Sequence, residues 1–352
     1  MTTLTALMIS DGRPGHYRQS EGIVAAMKRR RCVELRRIEL RTRFSIPKAF
    51  VSKIAKRMPP SLFLRSIHGI DSRKLSKPDI VVSAGATTLG ANLALSQIWG
   101  VPNVFSGSTR GFSLDRFSLV LTPYSSVGGP PNVLAGPKPT PIDPDTIPSG
   151  RKLQDPNDMR GARISILIGG PTEYAKFGPK DWARLVQLIE ALAEEFSCRI
   201  TIVTSPRTPD QAYASLTPLA NRADGTVSLI DFRKEGAGSI GTALDCDVIL
   251  VTRDSMSMIT EAALSRRPVI ALEPQLVHAH RDDEGVADLV RSHLLGILPL
   301  QEVSAKGLAI AAAALVPLVE NHLDRLAEAV DRLVSPVKAA LVFPQSTEQS
   351  ET

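Results

Sequence analysis

Short apolar runs that end in a glycine or small-residue turn, each followed by a longer amphipathic stretch, recur along this chain and narrow what it can fold into. The segment "PDIVVSAGATTLGANLALSQIWGVPNVF", residues 78–105, reads as strand, glycine turn, helix, turn and strand. "RISILIGG" (163–170) and "CDVILVTRDSMSMITEAALSRRPVIALEP" (246–274) repeat the pattern in the second half. Runs dense in Val, Ile and Leu suit parallel strands covered on both faces, and repeated βα units with right-handed crossovers give a doubly wound sheet. At 352 residues, 43% of them hydrophobic, the chain exceeds one ordinary core. The expected fold class is therefore α/β, with two Rossmann-like doubly wound parallel-sheet domains facing a cleft.

Six prolines and few large apolar residues interrupt the pattern between residues 137 and 161. The expected division is a first domain at 1–145, a linker at 146–161 and a second domain at 162–302. A helical stretch at 303–335 and a frayed tail at 336–352 follow. Within the first domain, residues 5–10 read as a strand and 17–30 as a helix, and "FSLVLTP" and "NVLAG" as short strands. Cys32, Cys198 and Cys246 are odd in number and form no CxxC pair, so a disulfide framework is not expected and a reducing cytoplasm is. No apolar run is long enough to span a bilayer.

Net charge is +6, but residues 28–57 hold twelve basic residues against Glu34 and Glu39, a local +10 that leaves −4 elsewhere. Such a concentration points to a polyanionic surface. Phe50, Val51, Ile54 and Met58 recur near helical spacing, while Lys48, Lys53, Lys56 and Arg57 occupy other faces. A basic amphipathic segment at 43–67 fits a peripheral membrane contact on the inner face, with Lys48, Phe50, Lys53, Ile54 and Arg57 as membrane or acceptor residues. An ordinary domain helix with a solvated basic face fits the same residues. Nucleic acid is not an expected partner, because no binding module is visible and aromatics for stacking are scarce.

Candidate chemistry concentrates in two places. "RDSMSMITEA" begins a helix after a strand. Asp254 can cap it and leave the amides of Ser255 to Ser257 facing an anion. Glu261 lies about two turns further on, on roughly the same face, suited to accept the two hydroxyls of a ribose; a capped helix with a solvated Glu is the plainer alternative. Gly169 and Gly170 let backbone approach a phosphate, Arg207 in "SPRTP" can reach the same anion, and Phe232 can stack on a base. The second place is "ISDGRPGHYRQSEG" (9–22). By itself it reads as a phosphate cradle, a turn carrying the base His16, or a plain connection. "DCD" (245–247) leads into a buried strand, and "HAHRDDE" (278–284) lacks a second ligand cluster, so neither is expected to bind metal. "GSTRG" (107–111) has the wrong spacing for a hydrolase elbow, and no P-loop or GxGxxG is present.

The order of strand and glycine turn, "DF", "CDVILVTRDSMSMITEA" and "RPVIALEP" resembles the donor half of GT-B glycosyltransferases, among them the lipid-linked N-acetylglucosaminyltransferase of peptidoglycan synthesis. "ISDGRPGHYRQSEGI", "IGGPTEYAKF", "SPRTP" and "DSMSMITEA" together are similar to bacterial members of the mitochondrial-fission family, over nearly the whole chain. The resemblance implies Glu261 on the donor ribose, Ser255, Ser257 and Met258 near its diphosphate, and Gly169, Gly170 and Thr172 lining that pocket. Ser205 and Thr208 flank Arg207 in the same donor set, with Asp254 and Phe232. It implies His16 beside the acceptor as general base, with Asp11 and Arg13 next to it. "GRPGH" departs from a fully glycine-rich loop, and Arg13 adds charge that can meet phosphate directly.

The resulting expectation is an inverting GT-B glycosyltransferase that uses a nucleotide-sugar donor, a lipid-linked or glycolipid acceptor and no metal cofactor. A sugar-nucleotide 2-epimerase shares the fold and acts on the donor alone. An adaptor that keeps the fold and docks a membrane or partner is the alternative outside enzymes.

Overall fold

The protein, described by a computed structural model for residues 3–41, 48–236 and 239–334, contains two six-stranded parallel sheets. The first holds β1 (Leu4–Ser10), β2 (Val33–Glu39), β3 (Ile80–Ala84), β4 (Asn103–Ser106), β5 (Leu119–Thr122) and β6 (Val133–Ala135), in the order β2-β1-β3-β4-β5-β6. The second holds β7 (Arg163–Leu167), β8 (Arg199–Val203), β9 (Val227–Ile230), β10 (Val248–Thr252), β11 (Val269–Glu273) and β12 (Gly296–Pro299), in the order β9-β8-β7-β10-β11-β12. Both are doubly wound. Strand order reverses between β1 and β3 in the first sheet and between β7 and β10 in the second, and such switch points open crevices at the carboxyl ends of the strands. Every residue of β3 and of β10 is buried, as strands covered on both faces must be.

The longer helices are α1 (Pro14–Lys28), α2 (Lys48–Arg57), α3 (Leu89–Trp99), α4 (Pro179–Phe196), α5 (Asp210–Ala220), α6 (Met256–Ala263), α7 (Asp283–Arg291), α8 (Ala305–Ala313) and α9 (His322–Val334). Helix α1 starts three residues earlier than its apolar periodicity suggests. Pro14 takes the first helical position, where its missing N–H costs nothing, so His16 stands in the first turn of the helix and not in a loop before it.

The stretch 303–335 is two helices, not one continuous element. Residues 314–321 are irregular, and Pro317 there cannot continue a helix. Helix α8 packs on the second sheet through Leu308, Ala309 and Ala312. Helix α9 crosses back, and Leu323, Leu326, Ala327 and Val330 pack with Leu4, Ala6, Ile23 and Met27 of the first sheet and α1. The expected tail from residue 336 lies outside the described residues.

Part of the basic segment is tied inward. Arg29 bonds Asp143, Asp145 and Asp324, Arg31 bonds Asp331, and Arg37 pairs with Glu21. The Arg29 and Arg31 contacts join the end of α1 to the crossing chain and to α9, and Arg37 ties β2 to α1, so part of the local +10 has internal counter-charge. In α2, Val51 is buried and Ile54 and Ala55, with Met58 just past its end, pack on the core beneath β1 and β3. The described part of the apolar face, Val51 and the half-buried Ile54, thus packs against its own domain. Lys53, Lys56 and Arg57 are exposed, and the side chains of Lys48 and Phe50 lie outside the described set. No described helix is long and apolar enough to cross a membrane.

Candidate functional site

Two switch points face each other across the cleft, and each carries one half of the candidate site. On the second sheet, the turn after β7 holds Gly169 and Gly170. The turn after β8 holds Ser205 to Thr208, and the turn after β10 leads through Asp254 and Ser255 into α6. A relay fixes this corner: Gly169 N–H donates to Thr252 Oγ1 at 2.7 Å, and the Thr252 hydroxyl donates to Asp254 Oδ1 at 2.8 Å. A Cβ on Gly169 would stand 2.2 Å from that Asp254 oxygen, and one on Gly170 would stand 2.1 Å from the Arg207 carbonyl oxygen. Both glycines are there because neighbours occupy the space a side chain would need.

Asp254 does not cap α6. The N-cap is Ser255, without a side-chain capping bond, and Asp254 turns back to Thr252 instead. Ile259 N–H makes the first bond of the helical ladder, to the Ser255 carbonyl. The amides of Met256, Ser257 and Met258 thus precede that ladder and carry the positive end of the helix dipole. Arg207 Nη2 lies 3.3 Å from Ser255 Oγ at the same end, and Nη1 lies 3.3 Å from the Gly170 carbonyl. A guanidinium at a helix N-terminus is electrostatically unfavourable until an anion lies between them. The Met258 side chain is buried in the core, so only its backbone faces this point.

Ser205 Oγ and Thr208 Oγ1 both donate to the Gly169 carbonyl at 2.9 Å and so tie the Arg207 turn to the end of β7. Thr172 bonds to Ala175 within its own turn. Phe232 is half-buried past the end of β9, two strands from the switch point, with its amide on Thr204 Oγ1.

Burial raises the Asp254 carboxyl to about 6, against the opposing pull of the Thr252 hydrogen bond and the Arg207 charge. The folded state then holds this proton more tightly than the unfolded chain. The resulting stability is complete below the ordinary value of 3.8 and is lost as pH rises through about 6. Denaturant titrations from pH 4 to 7 are expected to show a fall on the order of 2 to 3 kcal/mol that Asp254→Asn removes. An unchanged slope in the variant would rule this group out as its source.

Glu261 lies on α6, 7% exposed, and its Oε1 accepts from Arg18 Nε on α1 at 3.0 Å. Burial pushes this carboxyl above its usual value, while Arg18 draws it back. The carboxylate suited to a ribose is therefore held by a cation of the opposite domain. The helices meet closely here, since a Cβ on Gly15 of α1 would lie 3.1 Å from Ser257 Oγ.

On the first sheet, His16 Nδ1 lies 2.9 Å from Asp11 Oδ2 and 3.2 Å from Oδ1. Burial works to raise the Asp11 carboxyl, but the hydrogen bond and charge of His16, with backbone support from Arg13, bring it below its ordinary value. Asp11 thus fixes the Nδ1–H tautomer and leaves Nε2 to accept a proton. Gly85, at φ +85°, lies beneath the ring, where a Cβ would come within 2.2 Å of Nδ1. Arg13 is the N-cap residue of α1, its side chain 54% exposed and 3.9 Å from Asp11.

Sequence reading missed Arg18, Gly85 and the contacts at the far end of the cleft. Arg18 sits two residues after His16, and Gly85 is the turn glycine of "SAGATT"; both signals were in view but had no partner until the chain folded. "HAHRDDE" proves to be a bridge between the sheets. Asp282 accepts from the Tyr124 hydroxyl at 3.0 Å and from Lys138, and Arg281 lies 4.2 Å over the Tyr124 ring. His280 stacks on Tyr174 at 4.3 Å. In "DCD", Asp245 pairs with Arg163, and Asp247 takes that side chain and the amides of Arg151 and Arg163.

Solved structures share this architecture. The UDP-GlcNAc 2-epimerase from Methanocaldococcus jannaschii matches with a TM-score of 0.57 at 13% identity, over 95% of this chain and 99% of that one. The UDP-GlcNAc 2-epimerase from Neisseria meningitidis bound to UDP-GlcNAc gives 0.54 at 12% identity, with the same coverage. The kitacinnamycin glycosyltransferase gives 0.50 at 11%, over 95% of each chain. At such identities the likeness establishes the fold, which is GT-B. No curated protein matches the sequence. The profile of the family described as mitochondrial fission ELM1 matches residues 14–332, and the chain belongs to that family.

Proposed function

We propose that the chain is a GT-B glycosyltransferase whose second domain binds a nucleotide-sugar and whose first domain presents the acceptor. The observation that carries the reading is the start of α6, where free amides and the Arg207 guanidinium converge over a turn of two glycines, with Glu261 on the same helix. The structural neighbours that hold UDP or UDP-GlcNAc support a donor of this class.

In this reading Nε2 of His16 takes the proton of an acceptor hydroxyl, whose oxygen attacks the anomeric carbon and inverts it. The bond from that carbon to the diphosphate breaks, and the nucleoside diphosphate leaves with the electron pair. The α6 amides and Arg207 stabilise its charge without a metal ion. Asp11 holds the imidazole and stabilises its charged form.

A nucleotide-sugar 2-epimerase is the second reading, favoured by the close approach of Gly15 to Ser257, which brings the helix carrying His16 against the donor helix. A calorimetric panel of nucleoside diphosphates tests the donor assignment. Binding of at least one is expected, weakened about tenfold or more in Arg207→Ala, in line with loss of a charged hydrogen bond. Failure of the whole panel would leave an adaptor role as the surviving reading. Product analysis without acceptor separates the two enzymes, because only an epimerase converts the donor alone.

A further inference from the structure

We propose that the cavity between the loops after β1, β3 and β4 is a phosphate subsite, and that the molecule entering it carries a phosphate group beside the atom His16 deprotonates. The second clause rests on the reading of the cleft above, whereas the subsite itself stands on the cavity. The space is about 220 Å³ and is lined by Arg13, Arg110 and Lys138, with His16, Ser106 and Ser108 among its polar walls. No carboxylate lines it. Asp11 stands behind His16, and Asp282 stands behind Lys138, held also by Tyr124. At the rim, Arg281 donates to Ser108 Oγ at 3.3 Å and adds a further cation.

Three cations around one small space repel each other and are stabilised together by an anion. Lys138 has Asp282, and Arg13 has a distant Asp11, but the Arg110 guanidinium makes no ion pair among the described residues. Its backbone is also unusual. Arg110 adopts φ +51°, a left-handed conformation that is strained for a residue with a Cβ. Lys56 of α2 holds it there, donating through Nζ to the carbonyls of Arg110 and Gly111 at 3.3 and 2.7 Å. A strained loop held by a cation of the neighbouring helix, so that another cation enters a cavity, is an arrangement that a bound anion explains.

A phosphate matches better than a carboxylate. Its dianion offers three acceptor oxygens to the Arg13, Arg110 and Lys138 cations that line the space, where a carboxylate offers two. Lys56 acts here as a positioning residue, which gives one member of the basic segment a role inside the protein.

Inorganic phosphate titrated into the full chain, alone and with saturating uridine diphosphate, tests the subsite by calorimetry and phosphorus NMR. Phosphate is expected to bind in both conditions. Arg110→Asn, chosen because asparagine tolerates positive φ, is expected to weaken phosphate about tenfold or more while leaving uridine diphosphate affinity unchanged. Lys56→Met is expected to weaken phosphate in the same direction although its side chain does not line the cavity. Displacement of phosphate by the nucleotide, or wild-type phosphate affinity in Arg110→Asn, overturns the proposal. If wild-type chain binds phosphate but no nucleotide, the donor reading fails and the subsite stands. Retention on vesicles containing phosphatidic acid that is lost in Arg110→Asn assigns the phosphate to a lipid headgroup. Competition by glucose 1-phosphate without such retention assigns it to a water-soluble molecule.

Discussion

Glu261→Gln is expected to weaken nucleoside diphosphate binding by roughly tenfold to a hundredfold, because the amide keeps one acceptor oxygen and loses the other with the charge, and a hydrogen bond to a charged group contributes about 1.5–3 kcal/mol. Stability should change little. The wild-type carboxylate is buried and raised above its usual value, so a neutral amide of the same shape removes a desolvation cost along with the ion pair. Arg18→Met should act in the opposite direction. Arg18 occupies the carboxylate that the ribose needs, and ligand must displace it. Because its side chain is about a third exposed, the pair contributes roughly 1 kcal/mol or less, and its removal should tighten nucleotide binding by up to about fivefold. Calorimetry on both variants decides the matter. Wild-type affinity in Glu261→Gln would sink the donor assignment, and weaker binding in Arg18→Met would show that Arg18 contacts ligand and does not compete with it.

Gly85→Ala is expected to disable the other half of the site while leaving the sheets intact. A methyl group at this position would overlap the His16 ring, and the ring can escape only by leaving Asp11. General-base catalysis by a positioned histidine contributes about 10²–10⁴-fold, so turnover should fall by that order. Asp11→Asn should reduce turnover as well, but with the ring still seated over Gly85. Proton NMR of the imidazole offers a readout independent of substrate, since the Nδ1–H signal bonded to Asp11 should disappear in Gly85→Ala. Nucleotide affinity should stay near the wild-type value, because Gly85 belongs to the opposite wall. Full turnover with alanine at 85 would exclude His16 as the base.

The two sheets were legible because strands buried on both faces leave dense apolar runs, as in "DIVVSA" and "DVILVT". β2 and β12 were not. β2 is an edge strand whose Val33, Leu35 and Ile38 are separated by Glu34, Arg36 and Arg37, and its charges drew the reading toward a surface. β12 is a short edge strand ending in Pro299. The glycine turns and Arg207 could be picked out from their places at strand ends, since strand ends are where such folds bind ligands. The Arg18–Glu261 pair joins residues 243 positions apart, and nothing local in either segment announces it. Asp254 misled for a related reason: a residue before a helix reads as a cap, yet a hydroxyl two positions earlier, on Thr252, offered it a buried partner instead. The amphipathic pattern of α2 was real, but periodicity alone does not say whether protein or lipid covers an apolar face.

The return of α9 to the first sheet makes that domain discontinuous along the sequence. Its core is completed by Leu323, Leu326, Ala327 and Val330, residues made after the whole of the second sheet. The chain therefore passes between the domains at two places. Asn321 binds Asp143 and Asp145 at the crossings, and Arg29 clasps the same two aspartates together with Asp324. Two passages of backbone held side by side constrain the placement of the domains more than a single tether would. The two passages are thereby tied to each other, so that neither can shift without breaking contacts of the other. The same arrangement means that a ribosome releases the first domain unfinished, and its last core helix docks only after the second domain has emerged.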